Sequence, residues 1–214
     1  MLFSPPTRRI LTWLVIGFLA VTAAVYLRFR EKPPGVPESI RTSGLVLIRA
    51  QLDHLAHTDF GQTERGQKLI QQAGQLLSQD RIDFSTHLNG PRGVTWRPFF
   101  WSQDRIFIKV LERPGERYFH QLPHQLMEAL IHESLHAIKR GHRRASRQEE
   151  WDAFVAGLQA EAAIQGRDSS LPPRIEGITV AEFVARYYPE APDSPDYQPV
   201  GQSREWLEQM AAPK

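Results

Sequence analysis

Two histidines four residues apart, with a glutamate directly after the first, constrain this chain more than any bulk property does. They lie in Leu130-Ile131-His132-Glu133-Ser134-Leu135-His136-Ala137-Ile138-Lys139-Arg140-Gly141-His142. In an α-helix the side chains at i and i+4 stack one turn apart, so His132 and His136 can present two imidazoles to one ion while Glu133 is rotated to lie beside it. The flanking residues favour that helix. Met127, Leu130, Ile131, Leu135 and Ile138 form an apolar stripe next to the histidines, Pro123 is tolerated in a first turn, and Gly141 after Lys139 and Arg140 suits a left-handed stop. A helix offering two imidazoles needs a third protein ligand from elsewhere, and the chain downstream offers three choices.

His142 stands six residues after His136. Glu149 and Glu150 stand in Ser146-Arg147-Gln148-Glu149-Glu150-Trp151-Asp152-Ala153-Phe154-Val155-Ala156-Gly157, which opens a second helix. Ser146 with Glu149 three residues on is a capping box, in which the serine caps the helix start and the glutamate folds back onto the serine amide. That gives Glu149 a local task and leaves Glu150 to point inward. Ala153 and Gly157 then supply the small side chains that let the second helix lie close to the first. Glu150 is the expected third ligand, with Glu149 and His142 open as alternatives.

His132, Glu133 and His136, followed by Glu150-Trp151-Asp152-Ala153, resemble the gluzincin group of zinc metallopeptidases, in which a second helix after HExxH supplies a glutamate. The resemblance covers residues 122–165. It implies Zn2+ held by His132, His136 and Glu150, with Glu133 as the catalytic general base. The sequence departs from the group at Phe154, where a polar residue usually stands one turn beyond the third ligand. The spacing of His142 is that of the third metzincin histidine, but Lys139 occupies the position of the metzincin glycine. Met210, the only downstream methionine, falls in a helical stretch and makes no methionine turn.

Two neutral imidazoles and one carboxylate leave a fourth position for water, unlike a structural zinc closed by four protein ligands. Glu133 would take the proton of that water and pass it to the leaving amine. Asp152 is expected either to support an imidazole from behind or to be an exposed helix carboxylate. His142, Tyr187 and Tyr188 are candidate donors to the oxyanion, with packing as the favoured reading of the two tyrosines. The strand Arg105 to Leu111 either lines the cleft and pairs with an extended substrate, or is central with both edges occupied. The basic cluster Lys139, Arg140, Arg143, Arg144 and Arg147 reads as helix-terminal charge plus a solvated loop, with a face for anionic headgroups or acidic substrate as the sharper alternative.

The chain contains no cysteine, which excludes disulfides, a cysteine nucleophile and a thiolate metal site. A net charge of +2 over 214 residues, without a run of like charge, gives no reason to expect a nucleic-acid partner. Ile10 to Leu27 is an uncharged run flanked by arginines, with Trp13 and Tyr26 near its two ends, and reads as a transmembrane anchor in preference to a cleaved signal peptide. The expected organisation is an N-terminal tail over 1–9, the anchor over 10–27, a Pro-rich linker over 28–38, and a zincin-like domain over 39–214. The short arginine-bearing tail places that domain on the extracytoplasmic, periplasmic side of a single-pass membrane protein.

Within the domain, apolar spacing predicts helices over Ser39 to Asp53 and Thr63 to Ser78. Strands are expected over Arg81 to Thr86, Gly93 to Arg97 and Arg105 to Leu111, with a turn at Asn89-Gly90-Pro91. Helices follow at the HExxH stretch, from Arg147 to Gln165, at Thr179-Val180-Ala181-Glu182 and around Arg204 to Met210. This is an α+β fold, with helices packed on a short mixed sheet. The expected function is a membrane-anchored zinc metallopeptidase acting on a protein or peptide substrate. The competing readings are a catalytically idle, metal-stabilised, membrane-tethered binding module and a metal hydrolase of a non-protein amide.

Overall fold

Helix α1 (Glu38–Ala56) starts where the proline-rich segment stops, its first amides bonding to the Pro37 carbonyl. The computed structural model describes residues 13, 16–19, 33–88, 92–97, 103–112, 118–139 and 145–213. The chain divides into two compact units, residues 1–32 with 97–102 and residues 33–96 with 103–214. In the first, the described Trp13 and Ile16 to Leu19 are helical and exposed.

The expectation of an N-terminal transmembrane helix is corrected at this point. Among the described residues no helix is long and apolar enough to cross a membrane. A span needs about 20 predominantly apolar residues. Most of Ile10 to Leu27 lies outside the described residues, and α1, the longest described helix at 19 residues, carries Glu38, Arg41, Arg49 and Asp53. A single-pass membrane placement, and with it the extracytoplasmic side, therefore has no support.

In the second unit, α1 buries Gly44, Ile48, Leu52 and Leu55 along one stripe. Two threonine caps follow. Thr58 opens the four-residue helix α2 (Asp59–Gln62), and Thr63 opens α3 (Glu64–Ser78), each hydroxyl accepting a main-chain N–H. Strands β1 (Ile82–Ser85), β2 (Gly93–Trp96) and β3 (Arg105–Lys109) form a mixed sheet in the order β1-β3-β2, parallel for β1 with β3 and antiparallel for β2 with β3. The strand expected to run to Leu111 stops at Lys109. Leu111–Glu112 is a separate short strand, β4, paired with β5 (Tyr118–Phe119).

Helix α4 (Pro123–Lys139) carries the HExxH residues and packs on α5 (Arg147–Ile164), on β2 and β3, and on α1 and α3. Neighbours on so many sides bury Leu126, Met127, Leu130, Ile131 and Leu135 completely, each worth about 1.5–3 kcal/mol against exposure. Helix α5 is likewise covered on two faces. Ala153, Ala156 and Ala160 join the core of α1, α3, the sheet and α4, while Phe154 and Val155 join a second core with α6 (Val180–Tyr187) and α7 (Arg204–Ala211). A hairpin of β6 (Arg174–Ile175) and β7 (Ile178–Thr179) leads into α6, whose capping box of Thr179 and Glu182 has both halves present. Gly157 is required where α5 crosses α4, because a Cβ there would stand 2.7 Å from the Glu128 carbonyl oxygen. The close approach foreseen from Ala153 and Gly157 brings Glu150 over the histidines.

Candidate metal centre

Helical spacing places His132 and His136 one turn apart on α4, with their Nε2 atoms 3.2 Å from one another. Glu150 enters from the first turn of α5, its Oε2 3.8 Å from each of those nitrogens. A tetrahedral ion bound at about 2.0–2.1 Å separates its ligand atoms by about 3.3–3.4 Å, so these separations suit one shared ion. Among the described residues these three side chains form the one group with that geometry. The donor set of two imidazoles and a carboxylate could hold a metal ion and is not specific to zinc.

The electrostatics of the group are set by burial and by neighbouring carboxylates. His132, Glu133 and Glu150 are 5–8% exposed. Burial raises the Glu150 carboxyl to about 7, against the pull of the His136 charge and with the added fields of Glu133 and Glu149. Its Oε2 is buried and has no hydrogen-bond partner. Burial also holds His132 well below its ordinary value, helped by the neighbouring His136, so His132 is a neutral imidazole with a lone pair to offer. For His136, burial disfavours the charge, but the Glu149 hydrogen bond and the fields of Glu133, Glu150 and Glu149 outweigh it and push the group up to about 9. A cation at the shared point would offset this excess of buried carboxylate, and the orphaned Glu150 oxygen is aimed to receive it.

Glu149 does not close the capping box expected of it. The Ser146 hydroxyl does accept the Glu149 amide at 3.1 Å, but the carboxylate turns to the site and bonds His136 Nδ1 at 2.8 Å. That contact leaves Nε2 as the metal-facing atom of His136. Asp152 is neither behind an imidazole nor exposed. It is fully buried, ion-paired to Arg65 at 2.6 Å and accepting from the Tyr197 hydroxyl at 2.8 Å and the Val200 amide at 3.0 Å.

Glu133, next to His132, has its Oε2 bonded by the Thr95 hydroxyl of β2 at 2.8 Å. Burial raises this carboxyl too, opposed in part by His136 and by Thr95. The Phe154 ring, a departure from the gluzincin pattern, lies edge-on to His132 with centroids 4.5 Å apart, and Tyr188 packs behind it at 5.8 Å. Burial and the fields of Glu150, Glu133 and Glu128 raise the Tyr188 phenol. Tyr187 is 53% exposed and tilts against Phe183.

His142 lies outside the described residues, as do Asn89-Gly90-Pro91, Arg140, Gly141, Arg143 and Arg144. The described members of the basic cluster are internal tethers. Lys139 donates to the Gln198 carbonyl and lies over the Tyr197 ring, and Arg147 reaches Asp193. Thr95 was not foreseen, and only the pairing register of β2 against β3 could have pointed to it. Strand β3 is central, so among the described residues the edge of the sheet beside Glu133 belongs to β2.

Compared with known protein families, curated proteins and solved structures, the chain matches none.

Proposed function

We propose that this protein is a zinc-dependent metallopeptidase that cleaves peptide bonds at the His132, His136 and Glu150 centre. The observation that carries this reading is the convergence of those three side chains around a buried, unpartnered Glu150 oxygen, with the Glu133 carboxylate held alongside. When bound, zinc supplies Lewis acidity, polarising the scissile carbonyl and lowering the pKa of a water towards ~7.

The remaining steps belong to the chain's own groups. His132, His136 and Glu150 hold the ion, and Glu149 fixes the ring of His136 through Nδ1. The edge of β2 receives an extended peptide by main-chain pairing, which lays the scissile bond across the centre. Glu133 accepts a proton from the attacking water as its oxygen bonds to the carbonyl carbon. It then delivers that proton to the amide nitrogen as the carbon–nitrogen bond breaks. Tyr188, whose ring packs on Phe154, is the donor this reading assigns to the carbonyl oxygen.

Glu133→Gln separates chemistry from metal binding. It keeps the side-chain size and leaves all three ligands, so metal content is expected to stay unchanged while turnover of an unfolded protein such as casein falls by about 10²–10⁴. Equal turnover by the variant and the unaltered protein would remove Glu133 from the reaction and defeat the peptidase reading.

A further inference from the structure

We propose that Thr95 is the positioning residue for the Glu133 carboxylate, and that Gly93 is the clearance that lets this carboxylate occupy its working place. This rests on the peptidase reading of the centre. The antiparallel register Gly93 with Ile108, Val94 with Phe107 and Thr95 with Ile106 turns residues 93 and 95 to the face of the sheet that meets α4. Both then meet the same residue. The Thr95 hydroxyl lies 2.8 Å from Glu133 Oε2 and 3.1 Å from the Glu133 main-chain oxygen. A Cβ on residue 93 would stand 2.9 Å from Glu133 Cγ and 3.5 Å from Oε1.

The two contacts divide the carboxylate between two tasks. Thr95 donates to Oε2 and so fixes the rotation of the group. Gly93 keeps the space beside Oε1 empty. A hydroxyl can orient a carboxylate without engaging both its oxygens as an arginine fork would. Threonine is also stiff at χ1 and at home in a strand, so its hydroxyl is held in place before any substrate arrives. A slip of one residue in the β2 register would present Val94 to Glu133 instead, so the sheet sets the aim of the base on the neighbouring helix.

Two measurements on the full chain test this, one of them independent of activity. In urea unfolding of the metal-free protein, Thr95→Val and Glu133→Ala should be non-additive, the pair lowering the midpoint by less than the sum of their separate effects. With the zinc-loaded protein and casein, Thr95→Val should lower kcat by about 10- to 100-fold with KM and zinc content unchanged, and Thr95→Ser should restore most of it. Gly93→Ala should lower kcat similarly while zinc is retained.

Additive unfolding effects would overturn the contact itself. An active wild type with an indifferent Thr95→Val would overturn the positioning role and leave the peptidase reading standing. A zinc-loaded wild type that turns over no casein, despite coupled unfolding effects, would overturn that reading and the role together.

Discussion

Glu149 and Glu150 are adjacent carboxylates on one helix turn, yet they meet the centre in different ways. Glu150 brings a buried oxygen with no hydrogen bond to the point where two imidazole nitrogens converge, whereas Glu149 bonds the far nitrogen of His136. The division follows from helix geometry, since consecutive residues are rotated about 100° apart and reach different parts of the same ring pair. An imidazole whose Nδ1 is fixed by a carboxylate is a better oriented and more basic ligand. Glu149→Gln is therefore expected to weaken zinc binding by about 10–100-fold without emptying the site at saturating metal. Chelator competition measures it, and an unchanged affinity would reduce Glu149 to a helix-end residue. The sequence offered the wrong task for Glu149 because Ser146 three residues earlier satisfies the capping signature. A signature names a hydrogen bond the side chain can make, and the His136 ring, thirteen residues away, competes for the same carboxylate.

Among elements, the contact between α4 and α5 decides whether the centre exists, because its ligands are split between them. That contact is close at Gly157, and it also buries Glu128 of α4, whose partners are Arg92 at 3.1 Å and the fields of Glu161 and Glu133. Burial raises the Glu128 carboxyl from 4.5 to about 7, against the pull of Arg92. A carboxyl with a folded pKa above its unfolded value favours folding while protonated. Its contribution is full below about pH 4.5 and is lost as pH rises through about 7, a change of about 3 kcal/mol. Urea unfolding at about pH 5 and about pH 8 should show a loss of stability that Glu128→Gln reduces, the remainder coming from Glu150, Glu133 and His136. A pH dependence identical in the two proteins would contradict the assignment.

The helices themselves were largely legible from apolar spacing and caps. The four-residue α2 was not, being too short for any period, and neither was the break between β3 and β4. The central place of β3 depends on β1 and β2 pairing with it from both sides, which no local pattern encodes.

At the scale of the whole molecule, distant stretches of the described domain are fastened by a buried charge pair. Arg65 of α3 reaches Asp152 of α5 at 2.6 Å, together with the main-chain oxygens of Asp152 and Val200. Arg65 and Asp152 are 87 residues apart, so nothing in the Glu-x-Asp-Ala stretch announced the partner. Removing one member of such a pair strands the other in the core, and Asp152→Ala is expected to cost about 3–5 kcal/mol of unfolding free energy. A loss under about 1 kcal/mol in a urea melt would show the pair to be solvated.

The central claim is that this fold assembles a three-ligand metal centre from two helices, and metal content of the purified full chain tests it most directly. After incubation with zinc and removal of excess, the wild type should retain about one zinc per chain, and Glu150→Gln should lose most of it. A wild type that takes up no zinc, or a Glu150→Gln variant that holds it as tightly, would contradict the account.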